Sequence, residues 1–433
     1  MTINALLVDK CAPRNSYIKK LVNPNVAVLN LGHSALGIAR ALAPLGAKVT
    51  VFAKRTGDIG AGSRYLRVCS APDSAEDGGA PLRDFLIRYA ACCPSRPILF
   101  PTRDLDVGFI DGHRHDLVRH FAIAQPAHDI LDLIINKTRL AEAAANFGIA
   151  TPRTLQFDAA TPDPVRLPDN LNYPLIIRAI YAHEPHAKGI SVGKNQVKAH
   201  IAESSSDAIR QAKRLLDEGI SIFIQEFIAG STDRLVICAG YVGVSEKYTR
   251  VFTARKLLQY PEAAGIGQVV ETTNQPELAK STIAFLRHLG FRGIFEAEFK
   301  LDPRGVPQLI EVNPRHWDQH RLGSARGVDV SILATEDLLG ARSNRGEHFY
   351  RRAVWYDDPF VMRLTARGDP IWRQLQTRLK HDAEPAHRID SIFSLSDPVP
   401  ALRIYSSMAI EILVKPFRPL VLRGTSRNRA RAP

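Results

Sequence analysis

Gly293-Ile-Phe-Glu-Ala-Glu-Phe-Lys-Leu-Asp302, then Pro-Arg-Gly, then Val306-Pro-Gln-Leu-Ile-Glu-Val-Asn-Pro-Arg315 is the stretch that decides the fold. Both halves alternate apolar and polar residues, the period of strands with one buried face. Asp302-Pro303-Arg304-Gly305 between them has type I turn residues, with Pro second and Gly fourth. With that turn as the register, Phe295, Ala297 and Phe299 pair with Val312, Ile310 and Gln308, and Glu296, Glu298, Glu311 and Asn313 share the other face. The register sets Glu296 directly opposite Glu311 and makes Glu298 a diagonal neighbour of Glu311, about 7–8 Å away. Like charges facing across a hairpin repel, and a cation between them removes the conflict. Carboxylate and amide oxygens are what Mg²⁺ takes, usually one or two carboxylates completed by water and phosphate. Arg315 follows on the same edge, where its planar fork suits a phosphoryl group or a carboxylate. The plain alternative is a solvated acidic strand face. The Asn-Pro-Arg run directly after the second Glu favours the metal site.

Working outward, the 433 residues suffice for two or three domains, and 45% hydrophobic with 23% charged residues is an ordinary globular balance. No apolar run reaches the roughly 18 residues of a spanning helix, and the N-terminus lacks the pattern of a secretory signal. The five cysteines, Cys11, Cys69, Cys92, Cys93 and Cys238, show no CxxC spacing, which argues against a disulfide framework or a zinc site. A cytoplasmic location is expected. The net charge of +13 is uneven: residues 401–433 hold seven Lys and Arg against one Glu. No nucleic-acid motif accompanies the charge, and aromatic residues are few, so no nucleic-acid partner is expected.

Four segments follow from composition and pattern. Residues 1–24 are a polar lead-in. Residues 25–128 open as βαβ, with Val26–Gly32 and Ala47–Phe52 as strands around a helix from Ala35 to Leu45, and Pro97–Asp104 as a further short strand. The turn Gly32-His-Ser-Ala-Leu-Gly37 lacks GxGxxG spacing, and Lys54 and Arg55, not an acid, end the second strand. Residues 129–340 begin with a helix opened at Lys137 and closed by Gly148. Strands at Tyr173–Ile180, Ser221–Ile228 and Arg234–Val242 follow, with a helix at about Ser206–Glu218. Residues 341–433 are a C-terminal extension with a basic tail.

Ala297-Glu298-Phe299-Lys300 and Leu309-Ile310-Glu311-Val312-Asn313-Pro314-Arg315 resemble the metal-binding end of the ATP-grasp superfamily. The Lys137 helix with its Gly148-Ile-Ala-Thr-Pro152 exit resembles that family's entry, and the resemblance spans residues 25–335, about 70% of the chain. It implies an α/β ATP-grasp fold of two α+β lobes behind an N-terminal Rossmann-like domain, with ATP and Mg²⁺ as cofactors. On this resemblance Lys137 and Arg178 contact phosphate, Arg178 standing where the family usually has lysine. Lys198, in a glycine-poor phosphate loop at Ala182–Lys198, is a third contact. Gln225, Glu226, Phe227 and Ile228 form the adenine hinge, and Asp233 is the candidate ribose acid. Glu298, Glu311 and Asn313 hold metal, with Glu296 beside them. Arg255, in the cationic pair Arg255-Lys256, and Arg315 act on the transferred phosphoryl group, and His316 and His320 shape the acceptor pocket without a catalytic role.

The Pro101-Thr-Arg-Asp104 segment, the hinge and the Lys198-Ala199 pair together look most like carboxylate–amine ligases of the D-aspartate ligase kind. The implied partners are a small-molecule carboxylate and an amine, with envelope-linked substrates among the options. Two other functional classes stay open: a non-catalytic nucleotide-binding regulator, motivated by Arg178 and the thin phosphate loop, and an NADP-dependent oxidoreductase, motivated by residues 26–55. For residues 401–423, which mix apolar runs with basic residues, packing on the body and contact with an anionic membrane surface are both open. The sequence leaves the oligomeric state unassigned.

Overall fold

Asn25-Val-Ala-Val-Leu29 forms β1 and is buried throughout, because it stands at the centre of a parallel sheet covered on both faces. The computed structural model describes residues 23–160, 165–180, 200–261, 265–342, 349–382 and 384–414, the last four as backbone only. Around β1 stand β2 (Lys48–Ala53), β3 (Leu66–Ser70), β4 (Ile98–Phe100) and β5 (Ala122–Ile123), in the order β3-β2-β1-β4-β5 with every pair parallel. Helices α1 (His33–Leu42), α2 (Ala80–Ala91), α3 (Asp104–Gly112) and α4 (Arg114–His120) lie between the strands in sequence. Val26 and Val28 share a core with Ala35, Ile38 and Leu42, while Ala27 and Leu29 pack with Leu82, Leu86 and Ile110. This is the Rossmann-like layer expected for residues 25–128.

After α5 (His128–Ile135) comes α6 (Lys137–Phe147). The Asn136 side chain accepts hydrogen bonds from the backbone N–H groups of Thr138 and Arg139, both at 3.1 Å, and Gly148 ends the helix at φ +91°. That cap fixes Lys137 at the first helical position. A small antiparallel lobe follows from β6 (Thr154–Phe157), β7 (Leu175–Ala179), β8 (His200–Ala202) and β9 (Ile222–Glu226), ordered β6-β9-β7-β8. Its helix α7 (Ser205–Asp217) buries Ala208 and Ala212 against Leu175, Ile177, Ile222 and Ile224.

The larger sheet takes β10 (Leu235–Val242), β11 (Arg250–Tyr260), β12 (Ile266–Thr273), β13 (Gly293–Leu301), β14 (Pro307–Asn313), β15 (Ala353–Tyr356) and β16 (His387–Asp390), in the order β14-β13-β10-β11-β12-β15-β16. One face buries Val236, Cys238, Phe295, Ala297 and Phe299 against α5, α6 and α8 (Pro276–His288). Ile237, Ala239 and Ala254 point the other way and share one core with the Rossmann-like layer and α9 (Val330–Leu339).

The boundary expected at residue 340 does not separate an appended tail. β15 pairs antiparallel with β12, Val269 opposite Tyr356, and β16 pairs parallel with β15, so both belong to the large sheet. Helices α10 (Asp358–Arg367), α11 (Pro370–His381) and α12 (Val399–Val414) follow. Ala401 of α12 shares a cluster with Leu36 of α1 and Ile392. Two buried carboxylates fix this return. Asp397 accepts from Arg40 Nε at 3.0 Å, Ser63 Oγ at 2.7 Å and the Arg64 N–H at 3.0 Å. Asp358 accepts from Ser391 Oγ at 2.7 Å and the Ile392 N–H at 2.8 Å. Buried charge persists only when it is paired or hydrogen-bonded in this way.

Candidate active site

The β13–β14 hairpin keeps its acid face but not the register expected from the turn. The Asp302 N–H bonds to the Val306 carbonyl and the Gly305 N–H to Asp302, with Gly305 at φ +85°. That is a three-residue loop with a left-handed glycine, one residue longer in effect than the assumed turn. A second offset falls between Glu298 and Phe299, where Ile310 is left without a partner: Phe299 faces Leu309, whereas Glu298 faces Glu311. Glu296 therefore stands opposite Asn313, and Glu298, not Glu296, is directly opposite Glu311. Two single-residue offsets restore the parity, so all four polar groups stay on one face.

Cations from three elements converge there. Lys137, at the start of α6, bonds to Glu311 Oε2. Lys137 Nζ lies 5.4 Å from the Phe223 ring centroid and the Arg178 guanidinium carbon 6.0 Å from it, so both cations contact one aromatic ring of the small lobe. The charge on Lys137, with that on Arg178 behind it, outweighs burial and holds the Glu311 carboxyl well below its usual range. Lys256, buried on β11, donates to Glu298 Oε2 at 2.7 Å. Burial opposes its charge, but Glu298 and Glu296 outweigh that and raise its pKa. Glu296 is pushed up to about 8, first by burial and then by the charge of Glu298.

Arg255, expected at the transferred phosphoryl group, is placed elsewhere. It pairs with Val236, which in turn pairs with Phe299, and this puts it on the face opposite the acids. There its guanidinium bonds to Glu271 at 2.9–3.0 Å. Its neighbour Lys256 is the strand's cation on the acid side. Arg315 stays beside the site but is held by Asp104 of α3, with Nε–Oδ1 at 2.6 Å and Nη2–Oδ2 at 3.2 Å. Burial opposes the Arg315 charge, yet Asp104 and then Glu296 keep the guanidinium firmly protonated.

The residues expected to form the hinge sit at the end of β9. Gln225 is buried and donates to Thr154 Oγ1 at 2.8 Å, and the Glu226 carboxylate accepts from the Asn172 N–H and Nδ2 at 2.8 and 2.9 Å. The Glu226 and Phe227 N–H groups bond to the Arg153 and Pro174 carbonyls, and β9 ends before Ile228. The carboxylate of Asp233 accepts from Ser231 Oγ at 2.5 Å and faces Arg378 at 3.6 Å. Lys300, from the acid face of β13, donates to the Gly230 and Ser231 carbonyls and so ties the hinge to the large sheet. Lys198 and the loop Ala182–Lys198 lie outside the described residues. His316 and His320 are both buried, His316 against Phe100 and Ser331, His320 against the Trp317 carbonyl, and burial lowers both pKa values, that of His320 to about 4.

The donor set suits a hard divalent cation. Glu298, Glu311 and the Asn313 amide share one end of the hairpin, and the Asn313 Nδ2 reaches Glu296 Oε2 at 3.2 Å and Glu311 Oε1 at 3.4 Å. No cluster of three His, Cys, Asp or Glu side chains among the described residues forms a metal cage. Two carboxylates and an amide match an ion that draws its other ligands from water and phosphate.

Comparison with known proteins bears on the fold. The N5-carboxyaminoimidazole synthetase of Staphylococcus aureus, solved with ADP, superposes with a TM-score of 0.58 over 82% of this chain and 89% of its own, at 12% identity. The L-amino acid ligase of Bacillus licheniformis gives 0.53 over 73% and 74%, at 17% identity. The fold is ATP-grasp. No family model matches the chain. A D-aspartate ligase of Enterococcus faecium is 23% identical over 235 residues, 53% of this chain. The matched part is 56% of that relative, so the likeness spans about half its length.

Sequence reasoning names Lys256 only as the neighbour of Arg255 and misses its pairing with Glu298, the Asp104 partner of Arg315 and the Phe223 ring beside Lys137 and Arg178. Strand β11 was not read as a strand, and only its alternation tells Lys256 from Arg255.

Proposed function

We propose that this chain is an ATP- and Mg²⁺-dependent ligase that activates a substrate carboxylate as an acylphosphate and joins it to an amine. One observation carries the reading: Lys137, from the helix on one side, bonds to Glu311 of the large sheet on the other, and the charge of Arg178 from the small lobe acts on the same carboxylate. The likeness to a D-aspartate ligase supports the carboxylate–amine branch. A carboxylate oxygen attacks the γ-phosphorus and ADP leaves; the amine nitrogen then attacks the acyl carbon, phosphate leaves and the nitrogen sheds a proton. Glu298, Glu311 and Asn313 would hold Mg²⁺, which would supply neutralisation of the phosphate charge. Lys137 and Arg178 bind the phosphates, Lys256 balances the buried carboxylates, and Arg315, oriented by Asp104, faces the acceptor side. The backbone at Ile228 reads adenine. Oriented charges of this kind stabilise developing phosphoryl charge without reorganising.

Arg178 in place of the family's usual lysine keeps a second reading alive, that of a nucleotide-binding regulator without turnover. The oxidoreductase reading has less support, because Lys54 is paired with Glu76 and Arg55 with Asp58 at the second strand's end. The test is Mg²⁺-dependent phosphate release from ATP across a panel of amino acids and carboxylates, envelope precursors included. Release stimulated by one carboxylate–amine pair, with ADP formed, is the expected result. ATP binding without release under every pairing overturns the ligase in favour of the regulator.

A further inference from the structure

Lys256 and Lys300 are the buried lysines among the described residues, and they differ in their partners. Lys256 donates to Glu298 at 2.7 Å. Lys300 is 8% exposed and meets no carboxylate among the described residues. Its ammonium donates instead to the backbone carbonyls of Gly230 at 2.9 Å and Ser231 at 2.8 Å. An ammonium has three N–H donors, so one remains. Arg234 and Lys256 add like charge around it, and Asp233 adds opposite charge. A buried cation with a donor to spare is costly, and a ligand oxygen at that donor removes part of the cost.

The position of Lys300 says which oxygen. Glu298 and Lys300 are two residues apart on β13, so their side chains leave one face of the sheet about 7 Å apart. Gly230 and Ser231 follow directly on the segment Gln225–Ile228 that is expected to form the hinge. The ammonium therefore stands between the carboxylates that would hold Mg²⁺ and the backbone that would read adenine. In a nucleotide, the ribose lies between those two ends. We propose that Lys300 reads the ribose: its remaining N–H donates to a ribose hydroxyl, from an ammonium whose direction the Gly230 and Ser231 carbonyls fix. The inference rests on the nucleotide-binding part of the ligase reading. A lysine that merely tied the hinge to the large sheet would make the same two carbonyl bonds but would be indifferent to the sugar.

The test is calorimetric binding of ATP, 2′-deoxyATP and 3′-deoxyATP to the full chain in Mg²⁺, without carboxylate or amine, for the wild type and Lys300→Met. A thermal melt without nucleotide accompanies each protein, and Lys300→Gln replaces Lys300→Met if the latter does not fold. The wild type should bind one of the two deoxynucleotides about tenfold or more weakly than ATP, the size of a hydrogen bond from a charged donor. The variant should bind ATP weaker by a similar factor and should no longer distinguish ATP from that deoxynucleotide, because the coupling vanishes once either partner is gone. Equal wild-type binding of all three nucleotides overturns the proposal whatever the variant does. A variant that weakens all three alike and keeps the wild-type discrimination leaves Lys300 as a hinge tie and overturns its contact with the sugar. Absence of ATP binding by the wild type overturns the nucleotide reading itself, and this inference with it.

Discussion

Adjacent residues on β11 make a matched experiment, because Lys256 and Arg255 point to opposite faces of the sheet. Lys256→Met removes a buried cation 2.7 Å from Glu298 and leaves that carboxylate without its main partner. Breaking a buried pair costs about 3–5 kcal/mol, and the lower end applies because Glu298 keeps some solvent contact. Arg255→Met removes a cation whose side chain is one-third exposed, and Glu271 retains Arg352 as a partner. Its cost should stay under about 1 kcal/mol. Turnover should separate the two more sharply. Lys256→Met unbalances the carboxylates that would hold Mg²⁺ and should lower turnover about 10²–10³-fold, whereas Arg255→Met should stay within about twofold. Thermal melts in EDTA report the first difference, and Mg²⁺-dependent phosphate release with the activating substrate pair reports the second. Equal loss of turnover in the two variants, or a greater loss in Arg255→Met, refutes the assignment of Lys256 and restores Arg255.

Three further outcomes are expected. Glu311→Ala should abolish phosphate release while the protein stays folded by circular dichroism; wild-type release would remove Glu311 from the metal set. Glu296, at about 8 in the folded state against about 4.3 unfolded, keeps a proton that the unfolded chain sheds in between, so metal-free stability should fall as pH rises through that window. Glu296→Gln should flatten the fall, and parallel melting curves for the two proteins from pH 5.5 to 8.5 would contradict the buried neutral carboxyl. Asp397→Ala should cost about 3–5 kcal/mol by leaving Arg40 buried and unpaired, read as a lowered melting temperature. A melt indistinguishable from wild type would mean that the Arg40 site opens to water.

The strand–turn–strand around Asp302 was legible because alternation and turn residues act locally, and the acid face survived even though the partners changed. Parity is set by side-chain period, whereas partnering depends on Gly305 and on the offset at Ile310, which no local pattern announces. Lys137 was legible because a capping Asn precedes it and Gly148 closes its helix. Arg315 was found but its partner was not, since Asp104 lies 211 residues away. Four-residue strands such as Ala353–Tyr356 are too short to show a period, and this hid the contribution of the C-terminal segment to the sheet. His316 and His320 looked available as polar residues after the motif; packing against the Rossmann-like layer encloses them.

The Arg40–Asp397 bond joins residues 357 apart, and this has a consequence for synthesis. At about 5–20 residues per second, the ribosome needs about 20–70 s after Arg40 to make its partner. Through that interval the N-terminal layer has its strands and helices but not its cover: Leu36 lacks Ile392 and Ala401, and a guanidinium destined for burial has no carboxylate. This early-made layer is thus among the last to be finished, and the half-sealed chain is the species a chaperone would meet.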